Sequence, residues 1–353
     1  MKIYDRYITL NFWKFFFFVS FAFLLLFDLF ELLSQLDQIG RGTYTLTKAF
    51  LFIILTSGHK LLDLLPIITF LATLLSLGQL LDRNELLALE ALGYTKKRLT
   101  SVLVFSLVFW IIPLCGLSET FFKGAEKRAW QLRNKALSQG GMTLYGEGFW
   151  TRKGDLFLRV ERVLDEGLLS GIEIFRFEGH NLQDYLSAPL GKATSQYWLL
   201  WKAKEQILRP SKVEERTWPK LRIPPPLSVR QVENFALPAE YLPLKELIKY
   251  SQTLAVGGQN VYRYELLIWQ RIANPLLAFV MGLLALTFNK DPLARRKLFL
   301  TRLAGGLAGG LALYLLRETL AHAGRVFFLP APLVAFLPVG LISLAIFFLK
   351  WRK

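Results

Sequence analysis

Residues 82–98 read DRNELLALEALGYTKKR and carry seven charged side chains between two apolar runs, ITFLATLLSLGQLL at 68–81 and LTSVLVFSLVFWIIPL at 99–114. A hydrocarbon core of about 30 Å takes roughly 20 residues of helix at about 1.5 Å each. The segments 61–81 and 100–118 around the insert meet that length. The insert's helix-prone part, from Asp82 to Gly93, is about three helical turns and too short to cross. Its reading decides the fold: two membrane crossings joined by a short, charged, helix-prone link.

Composition agrees with a membrane protein. The chain has 353 residues, 53% hydrophobic, with 29 Phe and 9 Trp, and its mean hydropathy is +0.35; together these exceed what a soluble domain of this length needs. The net charge of +16 points first to cytoplasmic loops and anionic lipid surfaces. A nucleic-acid partner is not expected, because no basic, aromatic-interleaved soluble module is visible. The lone Cys115 excludes an intramolecular disulfide and a thiolate zinc site. The N-terminus has the basic-then-apolar order of a signal peptide, but Asp28 and Glu31 follow where small residues for cleavage are needed, so it reads as an uncleaved first span.

Six segments have spanning length: about 10–34, 61–81, 100–118, 266–288, 299–320 and 331–349. Six spans put both termini on one side. The short connections there hold thirteen Lys/Arg, namely Lys2, Arg6, Arg83, Lys96, Lys97, Arg98, Lys290, Arg295, Arg296, Lys297, Lys350, Arg352 and Lys353. The two short opposite connections hold three, Arg41, Lys48 and Arg325, so both termini are placed in the cytoplasm. Before the second span, TLTKAFLFIILTSGHK is apolar for only about ten residues and reads as an interfacial helical lead-in. The expected organisation is helices 1–3 in residues 1–119, an extracytoplasmic insertion in 120–255, and helices 4–6 in 256–353.

The insertion opens with a polar helix, FFKGAEKRAWQLRNKALSQ, and then turns into short β-branched and aromatic runs. GFWTRKGDLFLRVERV, LLSGIEIFRF, ATSQYWLLWKAKEQIL and KVEERTWPKLRI are separated by Gly, Asp, Asn and Pro, the pattern of an all-β sandwich or open barrel. Leu156, Leu158 and Val160 alternate with Phe157, Arg159 and Glu161, so one sheet face is apolar. RIPPPLSV ends the module; a helix, LPLKELIKYSQTL, and a glycine hinge, VGGQN, lead back to the membrane.

No nucleotide site is visible. Gly191-Lys192 is followed by Ala, and Leu186 stands where the first glycine of a phosphate loop belongs; any ATP is hydrolysed by another chain. His59, His180 and His322 lack metal-ligand spacing, and no catalytic constellation stands out. Asp28 and Glu31, near the outer end of the first span, are either functional or wet at the interface. In LAGGLAGGLALYLL, Gly305 lies four residues before Gly309, and Gly306 four before Gly310, which admits a second helix backbone as tight packing or as a seam that opens. Arg302 and Arg317, at the two ends of that span, and Arg41 are placed to meet anionic lipid groups or to snorkel.

In the insert, at about 100° per residue, Leu89 falls at about +40° from Glu85 and Leu92 at about −20°, so the Glu85 carboxylate sits in an apolar stripe. Asp82 and Asn84 are N-cap types, and Gly93 is placed as the stop. Two readings stay open: a helix docked in a groove of another protein, or one lying on lipid.

The layout and several strings resemble the LptF/LptG (YjgP/YjgQ) permeases, the membrane subunits of the lipopolysaccharide-export ABC transporter. They are DRYI at 5–8, SQLDQIGRGTY at 34–44, residues 64–99, WTRKGDLFLRVERV at 150–163 with LSGIEIFRF at 169–177, and YRYELLIWQRIANPLLAFVMGLLALTF at 262–288. The first and last of these are more similar to the LptG branch than to LptF. The resemblance covers nearly the whole chain. It implies a membrane α-helical fold of six transmembrane helices, three before and three after an inserted all-β periplasmic jellyroll-like domain, in the bacterial inner membrane. It implies a non-hydrolytic subunit that extracts lipopolysaccharide, pairs with a homologous subunit (LptF if this is LptG), docks on an LptB-like ATPase dimer and hands lipid to an LptC-like jellyroll protein. ATP and Mg would belong to the ATPase, with no cofactor in this chain. The family's coupling-helix glutamate falls on Glu85, with Leu89, Leu92 and Gly93 beside it. The resemblance implies a gate between the first span of one subunit and the fifth of the other, with which Gly305, Gly306, Gly309 and Gly310, candidates for gate or helix packing, are compatible. Arg302 matches a basic position at the base of the fifth span, whereas Glu31 stands where some LptG members are basic. The rival readings are a self-contained secondary transporter or channel using Asp28, Glu31 and Asp63, and a membrane enzyme of envelope lipid synthesis.

Overall fold

A computed structural model describes residues 3–137, 144–164, 167–179, 181–209, 212–229, 231–232, 239–256, 260–288 and 298–351. The basic residues Lys2, Lys290, Arg295, Arg296, Lys297, Arg352 and Lys353, together with His180 and Gly257-Gly258 of the hinge, lie outside the described residues. The chain divides into two compact units, one of Met1–Glu31, Thr56–Phe122 and Leu266–Lys353, the other of Leu32–Leu55 and Lys123–Glu265.

The helices are α1 (Ile3–Leu36), α2 (Leu46–Asp63), α3 (Leu65–Asp82), α4 (Glu85–Ala91), α5 (Lys96–Leu117), α6 (Lys123–Leu137), α7 (Leu244–Val256), α8 (Tyr262–Phe288), α9 (Leu298–Val326) and α10 (Ala331–Trp351). Among the described residues five helices are long and apolar enough to cross a membrane: Ile3–Leu36, Leu65–Asp82, Lys96–Asn134, Tyr262–Thr287 and Ala331–Phe348. The expected fifth span lies inside α9, which is 29 residues long but has Arg317 and Glu318 within its apolar stretch.

In the first unit α3 is the centre. It is apolar all round, and such a helix must be buried on every side; Leu65, Ile68, Leu71, Leu74, Leu77 and Leu80 all lie in the core with Ile8, Phe12 and Phe16 of α1, Leu103 and Leu107 of α5, and Ala278, Met281 and Ala285 of α8. The helices approach closely where small residues permit: a Cβ on Gly282 would lie 2.6 Å from Leu107 Cδ1. Several polar side chains within the bundle bond across helices, as buried groups favour. Thr69 Oγ1 donates to the Ala278 carbonyl at 2.8 Å, and Asn11 Nδ2 to Ser76 Oγ and its carbonyl at 3.2 Å.

In the second unit six antiparallel strands, β1 (Leu144–Lys153), β2 (Leu156–Leu164), β3 (Leu168–Glu178), β4 (Asn181–Ala193), β5 (Trp198–Arg209) and β6 (Lys212–Ile223), form one sheet in chain order. Sequence alone suggested a sandwich or open barrel; the described strands pair with their chain neighbours as a single antiparallel meander, with only a few residues between strands and no strand crossing over. The register puts Phe149, Val160, Ile172 and Ala188 in one cross-strand row and Thr151, Leu158, Ile174 and Leu186 in another, all buried. Leu227 and Val232, which follow β6 in the chain, and Leu254 of α7 complete this core, and Trp198, fully buried, donates from Nε1 to the Leu227 carbonyl at 3.2 Å. The opposite face carries Trp150, Phe175 and Tyr185 in ring contact, with the Arg159 guanidinium over Trp150 and bound to Glu173. Gly191 is a strand residue on which a Cβ would collide with Ile172 and Leu200, so its glycine serves sheet packing.

Candidate functional site

The charged insert folds as three pieces. Asp82 ends α3, α4 covers seven residues, and Lys96–Arg98 form the first turn of α5. It is therefore shorter than the single three-turn helix expected from sequence, and the reason is local. Gly93 takes φ +82°, its N–H bonds the Glu90 carbonyl at 3.0 Å, and the Tyr94 N–H bonds the Leu89 carbonyl at 2.9 Å. This is the Schellman pattern, in which a left-handed glycine satisfies the last carbonyls and ends the helix. Thr95 then caps α5 by accepting from the Arg98 N–H. At the other end Asn84 holds the N-cap position at φ 55° with no side-chain cap bond, so its cap role, expected from residue type, is not made.

The stripe read from the helical wheel splits in two. Leu86 and Leu89 turn into the bundle; Leu89 is 6% exposed and packs in the same core as Tyr94. Leu92, at the C-cap and off the helical wheel, is 67% exposed beside exposed Ala88 and Ala91. A partner can therefore meet Leu92 and the alanines, while Leu89 is committed to this chain. Glu85 stands at the border between the two faces. Its Oε2 accepts from the Tyr7 hydroxyl at 2.6 Å, and Arg83 approaches Oε1 at 3.8 Å.

A second contact ties the far end of the insert to α1. Asp5, 6% exposed, accepts from the Tyr94 hydroxyl at 2.8 Å and from the Arg98 guanidinium at 2.9 and 2.7 Å. A buried carboxylate is tolerable only when paired and bonded in this way. Burial, then the bond to Asp5, push the Tyr94 phenol from its ordinary 10.0 up to about 12. A raised folded value means the donor's contribution is complete below about pH 10 and fades as pH rises toward 12. Sequence reasoning quoted DRYI as a string but missed this role of Asp5 and Tyr7. The signal was a charged residue in the first turn of an otherwise apolar helix.

The other candidate residues do not converge on one place. Arg317 points inward on α9, donates to Asn274 Oδ1 at 3.2 Å, and lines a small cavity with Asp63, Tyr314, Met281 and Pro338; Asn274 in turn donates to the Leu62 carbonyl at 2.7 Å. Arg41 is exposed in a turn of the second unit. Arg302 is a helical residue of α9 whose side chain lies outside the described part. Of the glycines, Gly310 meets Ile67 of α3 at ordinary contact distance, Gly305 and Gly309 face open space, and Gly306 is a helical position. Asp28 is held by Lys60 at 2.7 Å and by Ser57 at 2.8 Å, and Asp63 by His59 at 3.2 Å. Among the described residues no group of three His, Cys, Asp or Glu is arranged to hold a metal ion.

Comparison with known proteins matches residues 6–352 to the family described as "Lipopolysaccharide export system permease LptF/LptG". The chain is 27% identical to the lipopolysaccharide export system permease protein LptG of Escherichia coli strain K12 over 360 residues, covering 99% of this chain and 98% of the relative. It is 28% identical to LptG of Haemophilus influenzae over 332 residues, covering 92% and 91%. The match takes in both the helices that present α4 and the sheet, and the chain belongs to the LptF/LptG family of lipopolysaccharide export system permeases.

Proposed function

We propose that this chain is the LptG-type permease subunit of an ABC transporter that extracts lipopolysaccharide from the inner membrane. It would work with a homologous LptF-type subunit, an LptB-like ATPase dimer that holds ATP and Mg, and an LptC-like periplasmic acceptor. The chain itself hydrolyses nothing. The α9 segment supplies the sixth span, both termini lie in the cytoplasm, and the sheet is the periplasmic jellyroll-like module. Residues 1–119 and 256–353 carry the spans and 120–255 the module. The observation that carries the reading is α4: a short helix between two spans, with a carboxylate and an exposed leucine on its outer side. Closure of the ATPase dimer would push α4, and the open Gly305 and Gly309 positions on α9 suit a seam with a neighbouring helix. Arg41, Arg302 and Arg317 remain proposed phosphate contacts, Arg317 the weakest of them since it is engaged by Asn274.

The test is a pull-down of the tagged chain in mild detergent. It should bring an ATPase and a homologous six-span subunit. Glu85→Ala, and more severely Glu85→Lys, should lower the bound ATPase by roughly tenfold, the scale of one hydrogen bond to a charged group, with membrane insertion unchanged. A complex of unaltered composition and activity in both variants would refute the docking role.

A further inference from the structure

The contacts of α1 with the insert point to a function of their own, which rests on the docking role proposed for α4. Asp5 and Tyr7 are two residues apart and project about 200° apart around α1, so they reach the insert on two flanks. Tyr7 holds Glu85 at the first residue of α4. Asp5 holds Tyr94 and Arg98 just beyond its last turn. The Tyr4 ring meets Tyr94 edge-on at 6.5 Å, and the Arg98 guanidinium lies 5.6 Å from the same ring. The first turns of α1 are thus pinched between the two ends of the docking helix.

From end to end α1 runs for 34 residues without an interior Pro or Gly, the usual sites of kinks. At about 1.5 Å per residue it is a rod of about 50 Å. One side of it, with Ile8, Phe12, Phe16 and Val19, packs in the core, and the other, including Phe17, Phe18, Phe21, Leu25, Phe30 and Leu33, is exposed. We infer that Asp5 and Tyr7 are positioning residues, a two-point clasp that converts movement of α4 into movement of α1 across the membrane. Because the two contacts lie on opposite flanks, a push in either direction is transmitted instead of being lost in a hinge.

The experiment uses the complete complex with its ATPase, reconstituted in proteoliposomes that contain lipopolysaccharide. It measures lipid released per ATP hydrolysed for wild type, Tyr7→Phe and Asp5→Asn. The ratio cancels any difference in the amount of ATPase bound, and a loss of fold stability alone would reduce both quantities together. The clasp predicts a ratio lowered by about five- to tenfold, the scale of one net hydrogen bond, with hydrolysis persisting. An unchanged ratio in Tyr7→Phe overturns the clasp, whatever Asp5→Asn does and even if Asp5→Asn fails to accumulate. Glu85→Lys in the same assay separates the two ideas: ATPase retained on that variant removes the docking premise, whereas ATPase lost on it together with an unchanged Tyr7→Phe ratio removes the clasp alone.

Discussion

At the residue scale, two glycines show what a sequence reveals and what it hides. Gly93 was legible as a helix stop, since it follows a short apolar-patterned stretch. The structure agrees, with φ +82° and nothing within 4 Å of an added Cβ. Gly93→Ala should therefore cost only the left-handed strain, on the order of 1 kcal/mol, and loosen the end of α4. Gly42 was not legible as special within GRGTY. It takes φ +61°, and a Cβ would lie 2.5 Å from the Ala136 carbonyl, which also accepts from the Thr43 N–H at 2.7 Å. Gly42→Ala combines strain with a backbone collision and should destabilise by roughly 2–3 kcal/mol. Thermal melting of the two variants in detergent checks the order; equal losses would show that the loop relaxes freely. Glu85 marks the limit of the helical wheel. The wheel isolated its carboxylate but could not supply Tyr7, which lies 78 residues earlier in the chain.

At the element scale, strand phase was undetermined by alternation alone, because Phe157 is as apolar as Leu158. Pairing decides it: Leu158 and Val160 are 0% and 1% exposed, while Phe157 and Arg159 share the other face with Phe175 and Glu173. If lipid passes along the apolar side, photo-crosslinking probes on Leu158→Cys and Val160→Cys should trap it and those on Phe157→Cys and Arg159→Cys should not. Equal labelling of the two sets would remove the sheet as a one-faced conduit. The meander was not legible, since nearest-neighbour pairing and a crossover fold share the same strand lengths and turns. The central place of α3 was partly legible, because a span apolar on all sides has no face to give to water.

At the scale of the whole molecule, the chain is a multi-pass inner-membrane protein of a permease family; its multi-pass character was legible from apolar length, whereas the family was legible only through the resemblance of particular strings. The expected fifth span falls in α9, where Arg317 finds a polar partner in Asn274, a contact that only the fold supplies. Topology can be checked by an impermeant maleimide on a Cys115→Ser background. Lys204→Cys should react in intact spheroplasts and Lys97→Cys only after lysis; the reverse order would invert the protein. One feature of the sheet also bears on how cargo would travel. Its apolar side is already occupied by Leu227, Val232 and Leu254, so an arriving acyl chain does not fill a void. It would trade places with side chains of similar hydrophobicity, and the net free energy would be the small difference between two comparable contacts. A swap of nearly equal free energies would hold cargo weakly enough to release it, as a relay requires, and would spare the empty domain from wetting its interior.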